Sequence, residues 1–390
     1  MSPSLRFPEF TGEWEKCKLG TLATKVGSGS TPKGGDAVYT SIGHYFVRSQ
    51  NVGMGFLMLD NIAHINDDIH QKHKATEIYE NDVLLNITGA SIGRTAVATK
   101  ELEGGNVNQH VCIIRTNSKV NPKFLCDYIQ TQRIQNHIKS LQTGGSREGL
   151  NFEQIRSFPI SLPSINEQNK LTCLLDKINE RIATQVRLIE DLKKLRCAII
   201  EKMFKQSKAN GRLGDFIEQV SVRNKNGLYS NVLSVSNKQG FVKQSEQFED
   251  RTVASEDTSN YKIVKRNNFA YNPARINVGS IARLTKFDVG IVSPMYVCFR
   301  TKASIIPEYM EAFFTSQQFF YEMMKRLEGS VRLCLSYEGL CNIPVYIPNM
   351  NKQIVMGQNI SLILSKIGLE IEYLGRLHQQ KQYLLRKMFI

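Results

Sequence analysis

Nowhere does this sequence string together the roughly twenty uninterrupted apolar residues that a membrane-spanning helix needs. Its opening, Met1 to Glu9, lacks the apolar core of a secretory signal, so a cytoplasmic protein is expected. The eight cysteines, at 17, 112, 126, 173, 197, 298, 334 and 341, form no C-x-x-C pair, and nothing in their spacing suggests a disulfide framework. Most are expected to be small buried hydrophobes in a reduced compartment. His70 and His73 have no second pair nearby to complete a zinc set, so no metal is expected and a surface loop is expected for both.

Catalytic signatures are missing as well. There is no G-x-x-x-x-G-K-[ST] in the glycine-rich stretch Gly27 to Gly35, no H-E-x-x-H and no G-x-S-x-G. Asn272-Pro273-Ala274 lacks the second proline and the aromatic of the adenine-methyltransferase N-P-P-[YF] signature, and reads as a turn. The acidic pairs Asp67-Asp68 and Glu249-Asp250 have no accompanying lysine pattern of a nuclease and read as solvated loops. No catalytic residue and no cofactor is assigned to the chain.

What the sequence does have is positive charge and a duplication. A hydrophobic share of 41% and a charged share of 22% are those of an ordinary globular protein, and the net charge is +14. Divided at Asn210, the first part has a surplus of 6 basic residues and the remainder a surplus of 8. A positive field spread over both halves favours a polyanion such as nucleic acid.

The duplication has an offset of 185 residues. Gly144 to Phe204 maps without a gap on Gly329 to Phe389: Arg147 meets Arg332, Leu150 meets Leu335, Pro159 and Pro163 meet Pro344 and Pro348, Asn166 and Gln168 meet Asn351 and Gln353. Upstream, Arg115-Thr116 meets Arg300-Thr301 and Pro122 meets Pro307, with sparser identities; before about Asn106 the offset slips. So long a period is two copies of a domain plus a helix, not a solenoid. The expected divisions are 1–160, a first globular domain; 161–208, a first long helix; 209–345, a second globular domain; and 346–390, a second long helix. The front of each half alternates short β-branched runs, Val83 to Ile87, His110 to Arg115, Val232 to Val235 and Val297 to Phe299, with turn residues. A helix is expected at Asn121 to Leu141 and another at Pro307 to Leu327, which makes each unit α+β.

After Pro163 the pattern changes. Ser164 and Glu167 form a capping box, and no Gly or Pro interrupts Ile165 to Ala209. Asn349 caps the second copy. About 40 residues at ~1.5 Å each make a helix of roughly 60 Å. Apolar positions step by three and four through Leu175, Ile178, Ile182, Gln185, Ile189, Leu192, Arg196, Ile199 and Met203. In the same phase run Ile360, Ile363, Ile367, Glu370, Leu374, Leu377, Lys381, Leu384 and Met388. A sustained seven-residue period is a coiled-coil seam. An antiparallel pairing with a facing-residue sum of 566 sets Arg196 against Glu370 and Gln185 against Lys381. It also stacks Ile189 on Leu377, Leu192 on Leu374, Ile182 on Leu384 and Ile199 on Ile367. A parallel pairing would face Arg196 with Lys381, two like charges.

Several segments now carry a resemblance. LRFPEFTGEWEKCKLG (Leu5 to Gly20), VLSVSNKQGF (Val232 to Phe241), YNPARINVGSIA (Tyr271 to Ala282) and VSPMYVCF (Val292 to Phe299) resemble specificity subunits of type I restriction-modification systems. So does the doubled order of Gly loop, P-x-x-x-P, N-x-Q and a long helix ending in Met-Phe. The resemblance implies two target-recognition domains, each reading half of a split DNA site, and an antiparallel coiled coil that fixes their spacing in a pseudo-twofold arrangement. It implies no chemistry in this chain. Two modification subunits would bring S-adenosylmethionine and methylate adenine, and restriction subunits (translocase-nuclease) would bring ATP and Mg for translocation and cleavage. The alternatives are a nucleic-acid scaffold without sequence preference, a structural coiled-coil adaptor, and a fused methyltransferase or nuclease.

Base reading suits Arg to guanine and Asn or Gln to adenine. The candidate DNA contacts are Lys33 in the glycine-rich stretch, then Arg48, Gln50 and Asn51, Arg94 after the Thr88 to Gly93 turn, and Arg147. In the second half they are Ser236, Asn237, Lys238, Arg275, Asn277 and Arg332.

Overall fold

A computed structural model of the chain describes residues 2–142, 149–205, 208–237, 239–244, 257–330 and 332–390. Two units emerge: Met1–Gln185 together with Tyr373–Ile390, and Val186–Glu372. The first holds strands β1 (Glu15–Lys18), β2 (Ala23–Ser28), β3 (His44–Val47), β4 (Ala63–Ile65), β5 (Val83–Asn86), β6 (Thr95–Val97), β7 (Asn106–Val107), β8 (Val111–Thr116) and β9 (Pro159–Leu162). The second holds β10 (Gly211–Arg212), β11 (Ile217–Gln219), β12 (Val232–Ser236), β13 (Gly240–Lys243), β14 (Lys262–Lys265), β15 (Phe269–Tyr271), β16 (Ile281–Arg283), β17 (Val289–Val292), β18 (Val297–Thr301) and β19 (Pro344–Val345).

The duplication is explicit in strand order. An antiparallel sheet β2-β8-β5-β6 in the first unit has its counterpart in β11-β18-β15-β16. A mixed sheet β4-β3-β7, with β3 and β7 parallel, corresponds to β13-β12-β17, with β12 and β17 parallel and β14 added at the edge. The two-stranded ribbon β1-β9 corresponds to β10-β19.

Period-two alternation explains why the antiparallel sheet is buried on both faces. Val83 and Leu85 enter a core shared with helices, while Leu84 enters a second core shared with the mixed sheet. In the second unit Phe269 and Tyr271 face the helices and Ala270 faces the mixed sheet.

Each helix expected over residues 121–141 and 307–327 is two helices. Pro122–Ile129 is capped by Asn121, and a second helix, Gln132–Gln142, follows. Thr131 returns its hydroxyl to the Tyr128 carbonyl (2.7 Å) while its own carbonyl takes the Gln135 N–H (3.0 Å), so the chain restarts. In the second unit Pro307–Phe314 gives way to Gln317–Met324 at Ser316, whose hydroxyl accepts the Phe319 N–H (3.1 Å). Hydroxyl side chains that serve a local backbone group compete with helix continuation.

The long helices run Ile165–Lys205 and Met350–Met388. Ser164 accepts the Glu167 N–H (3.4 Å), but the Glu167 carboxylate, instead of closing the box, takes a two-pronged ion pair from Arg6 (2.7 Å each). Asn349 caps the second helix by accepting the Lys352 N–H (3.0 Å). The first helix stops short of Ala209 because the chain is drawn into the β10-β19 ribbon, with the Asn210 N–H on the Val345 carbonyl (3.1 Å).

Direction follows from the cores. In the first unit Leu171 and Leu175, from the start of the first helix, share a core with Leu385, Met388 and Phe389 from the end of the second. In the second unit Ile200 and Phe204, from the end of the first, share one with Ile360 from the start of the second. The helices therefore run antiparallel, and every seam position is buried or half-buried. Both unit boundaries fall inside the long helices, after Gln185 and after Glu372. Each helix end is committed to a different core.

The seam's polar positions are anchored to the short helices. In the first unit the buried Lys381 ammonium donates to the Gln130 amide oxygen (3.0 Å), whose nitrogen donates to Asp127 (3.2 Å). Burial pushes the Asp127 carboxyl up to about 7, against the pull of Lys381. Gly55 closes over this group at φ +89, where a Cβ would sit 3.1 Å from the ammonium. In the second unit burial raises the Glu311 carboxyl, opposed by Arg283, which donates to it (2.9 Å), and by Arg196. Glu370 pairs with Lys366, one turn earlier.

The second long helix contains an 18-residue window of mean hydropathy 1.3, enough by length and composition to cross a membrane. Ile360 and Ile367 commit one of its faces to protein packing.

Two expectations are corrected. His70 is not in a surface loop: it lies in the helix Asp67–Lys72, is buried, bonds Asn106 (2.8 Å) and stacks on His44 with ring centroids 3.8 Å apart. Of the cysteines only Cys112, Cys126 and Cys298 are buried, while Cys173 and Cys197 are exposed on the first long helix.

Candidate nucleic-acid interface

In each unit the loops that leave the sheet strands converge on one edge. In the first unit the Asn86 amide donates to the Ser49 carbonyl (2.8 Å) and to the Ser91 hydroxyl (3.1 Å), tying the turn after β3 to the turn after β5. The Thr88 hydroxyl meets His110 Nδ1 (2.5 Å), and Thr88 bridges to Gly149. The Gly29 N–H donates to the Asn108 carbonyl (3.1 Å), which brings in the glycine-rich loop.

The second unit repeats the design. The Asn272 N–H donates to the Ser280 carbonyl (3.1 Å), as the Asn86 N–H does to Arg94 (2.8 Å). The Leu335 N–H donates to the Pro273 carbonyl (3.1 Å), as the Leu150 N–H does to Ile87 (2.8 Å). The Asn272 side chain accepts the Ala274 N–H (3.1 Å), so Asn272-Pro273-Ala274 is the turn its sequence suggests.

These contacts place the candidates. Lys33, Gln50 and Arg94 are exposed on the first unit's edge. Arg48 lies 5.4 Å over the Tyr39 ring, with its Nε enclosed and unpartnered. Asn51 is corrected: it is 3% exposed, its oxygen accepts the Arg48 N–H (3.0 Å) and its nitrogen donates to Met58 (2.9 Å). That amide braces the turn which carries Arg48 and does not present itself to a base.

In the second unit Ser236 is half-buried and Asn237 exposed at the end of β12. The Ser280 hydroxyl on the Val235 carbonyl (3.4 Å) joins that end to the turn holding Arg275, exposed, and Asn277, half-buried. Arg332 is exposed in a loop closed by reciprocal Glu328 and Cys334 backbone bonds (2.9 and 2.8 Å). Gly329 is required there: at φ +118 a Cβ would meet the Arg332 carbonyl at 2.3 Å. Arg147 and Lys238 lie outside the described residues, as do Glu249 and Asp250.

Sequence reading missed the β7-β8 turn. Gln109 stands exposed at its apex, bonded by the Thr31 hydroxyl and by its own nitrogen to His110 Nε2 (3.1 Å). The duplication did not flag it, since the matching position 185 residues on is Pro294. Among the described residues no group of His, Cys, Asp or Glu is arranged to hold a metal.

The family model for the type I restriction modification DNA specificity domain matches residues 11–194. The matched stretch takes in the first unit's sheets and most of the first long helix, and the second unit repeats its strand order. Over 135 residues the chain is 24% identical to the type I restriction enzyme EcoBI specificity subunit of Escherichia coli, covering 34% of this chain and 28% of that relative. The fold is similar to the type I restriction-modification system S subunit from M. genitalium, with a TM-score of 0.60 at 17% identity over 100% of this chain and 99% of that one. It is also similar to a chain solved in work on complex assembly and conformational transition of the type I R-M system, with a TM-score of 0.59 at 14% identity over 98% of each.

Proposed function

We propose that this chain is the DNA-specificity subunit of a type I restriction-modification complex, in which each specificity domain reads one half of a split site. One observation carries the reading. The same loop edge is built twice on a duplicated scaffold but carries different polar side chains, Arg48, Arg94 and Gln109 in one copy and Asn237 and Arg275 in the other. Shared scaffolding with unlike contacts is what two different half-sites require. The antiparallel long helices set the distance between the halves.

The chain performs no chemistry in this account. Modification subunits supply S-adenosylmethionine for adenine methylation, and restriction subunits supply ATP- and Mg-dependent translocation and cleavage. Val355, Leu362 and Leu369 support the docking of such partners. They are 55, 68 and 63% exposed at seven-residue intervals along the second long helix, a stripe suited to a further helix.

Mapping adenine methylation across the genome with and without this gene tests the proposal. A bipartite motif that disappears on deletion is the expected result, and methylation unchanged by deletion would refute it.

A further inference from the structure

We propose that Gln109 is the residue of the first specificity domain that selects adenine at one position of its half-site. The inference rests on the specificity-subunit reading and names the contact within it. Gln109 sits at the tip of the turn between β7 and β8, where the glycine-rich loop, the Thr88 turn and Gly149 converge. The turn is held from below: the buried Asn108 side chain accepts the His110 N–H (3.0 Å), and the Asn108 N–H donates to Val47 (3.0 Å).

The amide itself is held on both flanks. Its oxygen accepts from Thr31, and its nitrogen donates to His110 Nε2 (3.1 Å). His110 then carries its proton on Nδ1 and donates to the Thr88 hydroxyl (2.5 Å). An amide has two lone pairs and two N–H groups. One of each is used internally, which leaves one acceptor and one donor on a fixed, exposed plane. That is the pair matching adenine N6 and N7 in the major groove. A surface glutamine without such support would lose rotamer entropy on binding; this one is already ordered. The duplicated position, 185 residues on, is Pro294, which has no side-chain donor, so the second domain cannot make the same contact.

The test is selection of duplexes from a pool randomised across the recognition site, using the full chain assembled with its modification subunits. The wild-type complex should enrich a split motif with adenine at one position of one half. Gln109→Glu offers acceptors only and should replace that adenine by cytosine, a change in relative preference of about 10- to 100-fold at that pair with the other half unaltered. Thr31→Val leaves Gln109 present but unsupported and should flatten preference at the same position; it also covers the case in which the Glu variant fails to assemble. Unchanged preference in Gln109→Glu or in Thr31→Val overturns the assignment while the specificity reading stands. A wild-type complex that enriches no motif overturns the reading itself.

Discussion

Gln168 and Gln353 each close three hydrogen bonds at the base of a long helix, and the three are the same. Gln168 donates to Lys119 (3.1 Å) and Pro163 (2.9 Å) and accepts from the Asn121 N–H (2.8 Å). Gln353 donates to Ser304 (3.1 Å) and Pro348 (2.9 Å) and accepts from the Ile306 N–H (3.0 Å). Replacing either by Met leaves a buried N–H without a partner, so a loss of about 1–3 kcal/mol is expected in urea unfolding. Sequence periodicity showed these glutamines to be duplicated but not what they bond, because two of the three partners of each lie 47 and 49 residues away. Asn51 failed for a different reason: its partners are only three and seven residues away, but an amide in a loop reads as a contact until they are seen. Asp127 gives a pH test. Its folded value, about 7, stands above the ordinary 3.8, so the folded state keeps a proton that the unfolded chain releases. Stability is therefore lost as pH climbs from about 4 through 7. Asp127→Asn should be more stable than wild type at pH 8, with the gain vanishing near pH 4 in thermal melts at the two pH values.

At the scale of elements, the seam and its direction were legible because a seven-residue period needs a partner to bury it, and like charges disfavour the parallel alternative. Not legible was where the seam's cations go. Lys381 turns to Gln130 on the short-helix pair of the first unit, and Arg196 acts on Glu311 in the second. These polar groups fasten each domain to its helix end. Lys381→Met strands the Gln130 oxygen and a buried Asp127, and roughly 3 kcal/mol of destabilisation is expected at pH 8. Combining it with Asp127→Asn should recover part of that, with a coupling of about 1–3 kcal/mol in a double-mutant cycle. Strict additivity of the two would show that the groups do not interact. The split of each expected short helix into two was hidden because Thr131 and Ser316 look like ordinary helical residues until their hydroxyls are placed.

At the scale of the whole molecule, the proposed function makes the long helices the spacer between two readers. Inserting one heptad into each, at matched seam positions, keeps the seam in phase and adds about 10.5 Å. The preferred gap between half-sites should grow by about three base pairs at ~3.4 Å each, as read by binding to a duplex series of stepped spacing. Charge in both halves and the doubled order of motifs were visible in sequence. Strand order was not, since the diverged fronts, residues 19–105 and 213–290, share topology without sharing sequence.

Exchange of one reader tests the account most directly. If residues 211–345 are replaced by the equivalent domain of a related specificity subunit, and adenine methylation is mapped in cells carrying the hybrid with its modification subunits, one half of the split motif should change. The other half and the gap should persist. A hybrid whose two halves both change, or whose motif is the original one, would contradict the claim that two independent readers share one chain.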